Sequence, residues 1–189
     1  MTPVTPVALD ARTLQVGFVA SLGPLHIRGT FRSLQGELLL PHAGLHSATL
    51  TIDVDAGSID SGFPMRDRHL RGRSFLDVAH HPRITFRSTQ ISQDDGELLV
   101  AGVLALRGIS RDVETSCPIA PIADEAGQTV VSLCGPLDIP IRAHRIGIPR
   151  GLDVLNPLFL LVGARVPAQV RLTLAVSCIP RALLPALAR

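Results

Sequence analysis

The chain has 189 residues, is 46% hydrophobic with a mean hydropathy of +0.33, and carries a formal net charge of +2. That length suffices for one domain with a sizeable core, and that apolar content excludes a globally disordered chain. Every basic residue is Arg, and Lys, Trp and Tyr are absent. This removes a P-loop or Schiff-base lysine and the aromatic platforms on which nucleic-acid bases stack.

The opening MTPVTPVALDARTL has no basic start followed by an apolar core, so no signal peptide is read there. In 12–20, Leu14, Val16 and Phe18 fall in phase. In 25–32, Leu25, Ile27 and Phe31 oppose His26, Arg28, Thr30 and Arg32, and farther on Leu38 and Leu40 lead into Pro41. In 48–55, Leu50, Ile52 and Val54 share one face while Thr49, Thr51, Asp53 and Asp55 share the other, the pattern of a strand with one apolar and one wet side. Residues 56–82 then break the rhythm: Asp60-Ser61-Gly62 reads as a turn closing the strand, and Pro64 as the opening of a short helix carrying Arg66 to Gly72.

Alternation resumes with Ile84 and Phe86 against Arg83, Thr85 and Arg87. In 98–106, Leu98, Val100, Leu104 and Leu106 face one way and Leu99 and Val103 the other, so this strand reads as apolar on both faces. Val113, Thr115 and Ile119 align around Cys117. In 129–141, Val131, Leu133, Leu137, Ile139 and Ile141 align, with Pro136 and Pro140 opposite them, which predicts an edge or bulged position. A second gap, 142–164, holds Gly147, Pro149, Gly151 and Pro157. In 165–178, Val166, Val170, Leu172, Leu174 and Val176 oppose Arg165, Gln169, Arg171 and Thr173, before a short apolar tail.

Some eight or nine strands, joined by turn signals such as Asp94-Asp95-Gly96 and Glu125-Ala126-Gly127, predict an antiparallel sheet closed as a barrel or folded as a sandwich. The long gaps read as functional loops or lids that could cover a barrel mouth. With no repeat or linker in view, 1–189 reads as a single domain with a core of about 9–178 and a tail of 179–189.

Candidate chemistry is sparse. Cys117, Cys134 and Cys178 form no paired framework and match no zinc spacing; they read as small buried hydrophobes in a reducing compartment. His80 and His81 are adjacent, so on an extended chain they point apart; His42 and His46 have helical ligand spacing, but Pro41 and Gly44 argue against a helix. No metal site is assigned. Ser58 and Ser61 lie near Asp60 without a nucleophile elbow, so no catalytic residue is assigned. Arg66, Arg68, Arg71 and Arg73 surround one acid, Asp67. On a helix Asp67 reaches Arg71 at i,i+4, which makes either an ion-paired helix framing a barrel or a guanidinium cluster for an anionic headgroup; the two can coexist.

The stretch from Ser58 to Thr89 resembles the signature of the YceI-like lipid-binding family through Ser58-Ile59-Asp60, Arg66-Asp67, His69-Leu70-Arg71, Phe75, His81-Pro82 and Ile84-Thr85-Phe86. Gly29-Thr30-Phe31, the run from Gly102 to Val113 with its Gly-Ile-Ser-Arg core, and Arg142 with Ile146-Gly147-Ile148 extend the likeness. Departures fall on the first strand, where Gln15, Gly17, Ala20 and Ser21 replace the usual serine and basic residues, on Ile146 in place of a phenylalanine, and on the long apolar 149–164 segment. The resemblance implies an all-β, antiparallel eight-stranded lipocalin-like barrel, with short helices in the 56–82 and 142–164 connections.

It further implies an apolar tunnel that carries or sequesters an isoprenoid-type amphiphile, such as a prenylquinone or polyprenyl chain. Residues expected to line it, by their common phase, are Phe18, Phe31, Leu50, Ile52, Phe86, Leu104, Leu137 and Leu172; Arg66, Asp67, His69 and Arg71 are the headgroup candidates. The alternatives are an enzyme acting on a lipidic substrate with Asp67 or His69 as acid/base, and a barrel filled by its own side chains. No cofactor is expected beyond the lipid or quinone ligand. Expected partners are that lipid, with transient membrane contact and a homodimer left open, and no nucleic acid. A cytoplasmic location is the expectation from the missing signal peptide.

Overall fold

The computed structural model describes residues 4–9, 14–22, 25–41, 47–95, 97–123, 129–140, 144–146 and 169–180. In chain order these form β1 (Val4–Leu9), β2 (Leu14–Leu22), β3 (Leu25–Phe31), β4 (Leu34–Pro41), β5 (Thr49–Asp55), β6 (Ile59–Asp60), α1 (Pro64–Arg71), β7 (Arg83–Asp94), β8 (Glu97–Leu106), β9 (Ile109–Ala123), β10 (Thr129–Pro140) and β11 (Gln169–Pro180).

The pairing closes a ring. β1 pairs antiparallel with β4 and β2 with β3, so β1 and β2 lie against β4 and β3 as one interrupted hairpin. From that hairpin, β4 pairs onward to β5, then β7, β8, β9, β10 and β11, and β11 returns to β2. Counting β1 with β2 and β3 with β4 gives eight arms, an up-and-down antiparallel barrel; β6 is a two-residue addition on β3. Closure removes the free sheet edges that would otherwise invite aggregation.

The period-two pattern decides which side is inside. In β5 Leu50, Ile52 and Val54 are buried, and in β8 Leu98, Val100, Leu104 and Leu106 are, while Leu99 and Val103 are half-buried on the other face. β7 changes phase midway: Ile84 is buried on one side of a bulge and Ile91 on the other, because Thr89 has no partner between Ser88↔Gly102 and Gln90↔Ala101.

Prolines fall where a strand has one neighbour only. The β8–β9 ladder ends at Glu97↔Pro118 and the β9–β10 ladder occupies 119–123, so Pro118 faces β8 alone and Pro121 faces β10 alone. Pro136 and Pro140 lie beyond Leu133↔Ile119, where β10 keeps β11 as its partner. Pro6 in β1 pairs with β4 alone. A residue without an N–H costs no ladder bond on the side that has no ladder. The edge position read from Pro136 and Pro140 is thus a local one within a closed barrel.

The 56–82 connection carries a 3-10 turn at Ala56–Ser58 and then α1, with Pro64 at its start as its missing N–H allows. Ala56, Ile59 and Leu76 join the core from this connection. Of the 142–164 gap only His144–Ile146 is described; the helix expected elsewhere in it, the Glu125-Ala126-Gly127 turn, and His42 and His46 lie outside the described residues.

Candidate functional site: the barrel interior and its cap

Register partners share a sheet face, and this arranges the predicted lining residues in two rows. Ile52 pairs with Phe86, and Phe86 with Leu104, across β5, β7 and β8. Leu137 pairs with Leu172, and Leu172 with Phe18, across β10, β11 and β2; Phe18 in turn faces Gly29 on β3. Phe18, Phe31, Leu50, Ile52 and Leu104 belong to one buried cluster, and the half-buried Phe86 packs on it. The side chains of Leu137 and Leu172 lie outside the described residues.

Two phenylalanine rings lie over glycines. A Cβ on Gly29 would stand 2.5 Å from Cζ of Phe18, and one on Gly102 would stand 2.6 Å from Cζ of Phe86. Both glycines therefore make room for a ring on the neighbouring strand. Phe18 also meets Phe31, with centroids 5.8 Å apart and planes tilted by 52°, an ordinary attractive geometry.

At the cap, the headgroup candidates are mostly engaged with the chain itself. Asp67 is buried and accepts from the Ser61 backbone N–H at 2.9 Å and from the Ser61 hydroxyl. Arg66 donates through Nε to Ser61 Oγ at 2.7 Å and through Nη2 to the Ser61 carbonyl at 2.6 Å. Arg71 donates to the carbonyls of Gly57 at 2.7 Å and Ile59 at 2.8 Å. The expected Asp67–Arg71 pair is therefore not formed. Helical side chains lean toward the N-terminus, so Asp67 reaches back to the turn before the helix while Arg71 spans to the 3-10 turn. His69 is exposed, and at two residues' separation it cannot share a helix face with Asp67.

The turn between β8 and β9 has positive φ at Arg107 (54°) and Gly108 (69°), the type I′ geometry of a tight hairpin. Arg107 donates to the carbonyls of Arg73 and Arg145, tying the α1 connection to the 144–146 turn. Beneath it His144 is 1% exposed, its Nδ1 lying 3.3 Å from the Leu106 carbonyl. Burial holds the His144 imidazole below its ordinary value of 6.5, and the Arg111 charge adds to this against the pull of the Leu106 and Ile109 carbonyls. Asp60 is lowered, first by the Gly62 N–H it accepts; Asp77 is lowered, first by its hydrogen bond with His80.

Of the residues at this end, His144 was not singled out from the sequence, and Arg111 was named there only within the Gly-Ile-Ser-Arg run. Arg111 pairs with Leu104 and so takes the face of β9 that also carries Val113, Thr115 and the buried Cys117; the phase of those three was signal enough to find it. His144 had no periodic neighbour to announce its burial. Among the described residues no group of three His, Cys, Asp or Glu could hold a metal ion.

An eight-stranded lipocalin-like barrel with an apolar inner face and a helical cap is the class this architecture defines. Residues 8–176 match the YceI-like domain family, and the chain belongs to it. A UPF0312 protein of Vibrio cholerae is 32% identical over 96 residues, 50% of this chain and 51% of that protein. Protein YceI of Salmonella arizonae is 28% identical over 107 residues, 57% of this chain and 56% of that one. The chain spans about half the length of the curated relatives it matches.

Among solved structures, Burkholderia cenocepacia BcnA superposes with a TM-score of 0.73 at 19% identity, covering 90% of this chain and 99% of that one. A polyisoprenoid binding domain from Saccharophagus degradans, implicated in plant cell wall breakdown, gives a TM-score of 0.63 at 16% identity, covering 93% and 98%. At these identities the likeness speaks to the fold. No helix among the described residues is long and apolar enough to cross a membrane.

Proposed function

We propose that this protein holds an isoprenoid-type amphiphile, a prenylquinone or polyprenyl chain, inside its barrel and releases it chemically unchanged. The observation that carries the reading is the pair of cross-strand rows, Ile52–Phe86–Leu104 and Leu137–Leu172–Phe18, on a barrel with an apolar inner face. A slender tail suits a barrel of this strand number. The polyisoprenoid-binding neighbour from Saccharophagus degradans supports the ligand class. In this reading Arg66, Asp67 and Arg71 frame the capped end, and an anionic headgroup meets whatever donors their contacts to Ser61, Gly57 and Ile59 leave over.

Energetics favour a carrier over a permanent sink. Each buried CH₂ gains about 0.8 kcal/mol on leaving water, but a bilayer solvates the same tail equally well. Transfer from membrane to barrel is then near balance and is tipped by shape and headgroup contacts. Organic extraction of the purified protein followed by mass spectrometry tests the reading. An intact isoprenoid lipid in stoichiometric amount supports it. A cleaved or oxidised lipid formed only by active protein replaces it with an enzyme acting through Asp67 or His69, and a lipid-free extract replaces it with a self-filled barrel.

A further inference from the structure

Among the described residues two large apolar side chains stand in water, Phe63 at 55% and Met65 at 71% exposure. Single exposed apolar residues need no explanation, but these two flank the exposed Pro64 at the tip of α1. The other exposed side chains of the same stretch are Arg68, His69, Arg71 and Arg73. At helical spacing Met65, Arg68 and His69 share a face, and it is the outward one, because Asp67 and Leu70 turn inward. Arg66 already sits against the tip, its Cζ 5.9 Å from the centroid of the Phe63 ring.

Among the described residues no exposed acid pairs with Arg68 or Arg73, and Arg71 is the only arginine of the stretch whose charge reaches Asp60. Asp67, the one acid between Phe63 and Arg73, is buried on Ser61. The nearest acids outside the stretch are engaged elsewhere, Asp60 with Arg32 and Asp77 with His80. An aromatic ring and a thioether beside the Arg68 and Arg73 guanidinium groups match one kind of surface. The apolar tip enters the boundary between headgroups and acyl chains while the arginines meet phosphate and carboxylate groups. A protein partner with an apolar hole would take Phe63 and Met65 but gives no reason for these arginines.

We propose that Phe63, Met65, Arg68 and Arg73 form a docking surface for an anionic lipid bilayer. Two side chains and a short helix give weak, reversible association and not anchoring. The surface is the outward face of the cap, so the proposal stands whether or not the barrel holds a lipid, and its test contains no isoprenoid.

The test is co-sedimentation of the purified full chain with phosphatidylcholine vesicles, with and without phosphatidylserine. Wild-type protein pellets with the phosphatidylserine vesicles and is released by salt. Arg68→Gln with Arg73→Gln weakens binding roughly thirty-fold at low salt. Phe63→Ser with Met65→Ser weakens it roughly ten-fold or more, while circular dichroism and melting temperature stay at wild-type values in both. The proposal is overturned if wild-type protein stays in the supernatant, if it pellets equally with phosphatidylcholine alone, or if either folded double variant binds like wild type. It is also overturned if sedimentation velocity finds a dimer that Phe63→Ser with Met65→Ser dissociates and no vesicle binding, because the patch then belongs to a second copy of the chain.

Discussion

The buried carboxylate of Asp67 accepts from both the backbone N–H and the hydroxyl of Ser61, while Arg66 holds the same serine through its hydroxyl and carbonyl. Asp67→Asn keeps an acceptor but loses the charge that strengthens it, an expected cost of about 1–2 kcal/mol. For a chain of this size that lowers the melting temperature by roughly 2–8 °C, with lipid affinity of the folded variant unchanged. An unmoved melting temperature together with lost lipid binding would place Asp67 in the binding site instead. His144 gives a pH dependence whose sign follows from burial. Its folded pKa lies below the ordinary 6.5, so its contribution is full above that value and declines as pH falls toward the depressed one. Arg111 is the charged group that shifts it, and no carboxylate is among the groups that do. Wild-type protein should therefore lose melting temperature as pH falls below 6.5 toward the depressed value. His144→Gln, which can still donate to Leu106, should flatten that window; an equal loss in both proteins would remove His144 as the cause. Asp60 and Asp77, lowered below 3.8, act only in stronger acid, where stability is lost as they protonate.

At the scale of elements, the glycines under the rings make a sharp prediction. A methyl group on Gly102 would stand 2.5 Å from the Arg87 carbonyl and 2.6 Å from the Phe86 ring. Gly102→Ala should cost about 2 kcal/mol in chemical denaturation, and a cost near zero would mean that Phe86 does not lie over Gly102. The strands most legible in the sequence are those where burial alternates strictly. β5 and β8 fall on the predicted 48–55 and 98–106 to within a residue at either end. β1 was hidden because Pro6 reads as a strand breaker, and only its one-sided pairing with β4 makes it tolerable. α1 announced itself through Pro64, but helical spacing tells which side chains can meet and not which partner wins. That is why Asp67 is found on Ser61 and Arg71 on Gly57 and Ile59. The phase change in β7 was equally illegible, since a bulge at Thr89 depends on its partner strand.

Taken whole, the molecule is a ring of eight arms whose closure depends on pairings between segments far apart in sequence, such as β11 with β2. Period-two alternation leaves barrel and sandwich equally open, and it was the likeness of the 58–89 stretch to a known family that separated them. The same alternation placed Phe18, Phe31, Leu50, Ile52 and Leu104 in the interior. What those residues enclose is a matter of ligand chemistry that alternation does not encode. The most direct measurement uses Phe86→Trp, which introduces the sole indole into a chain without Trp. Tryptophan emission is followed while a long-tailed prenylquinone or a short water-soluble quinone is added. A barrel that holds an isoprenoid tail predicts a saturable shift or quenching with the prenylquinone and far less with the short quinone. Equal responses to both, or none to either, would contradict it.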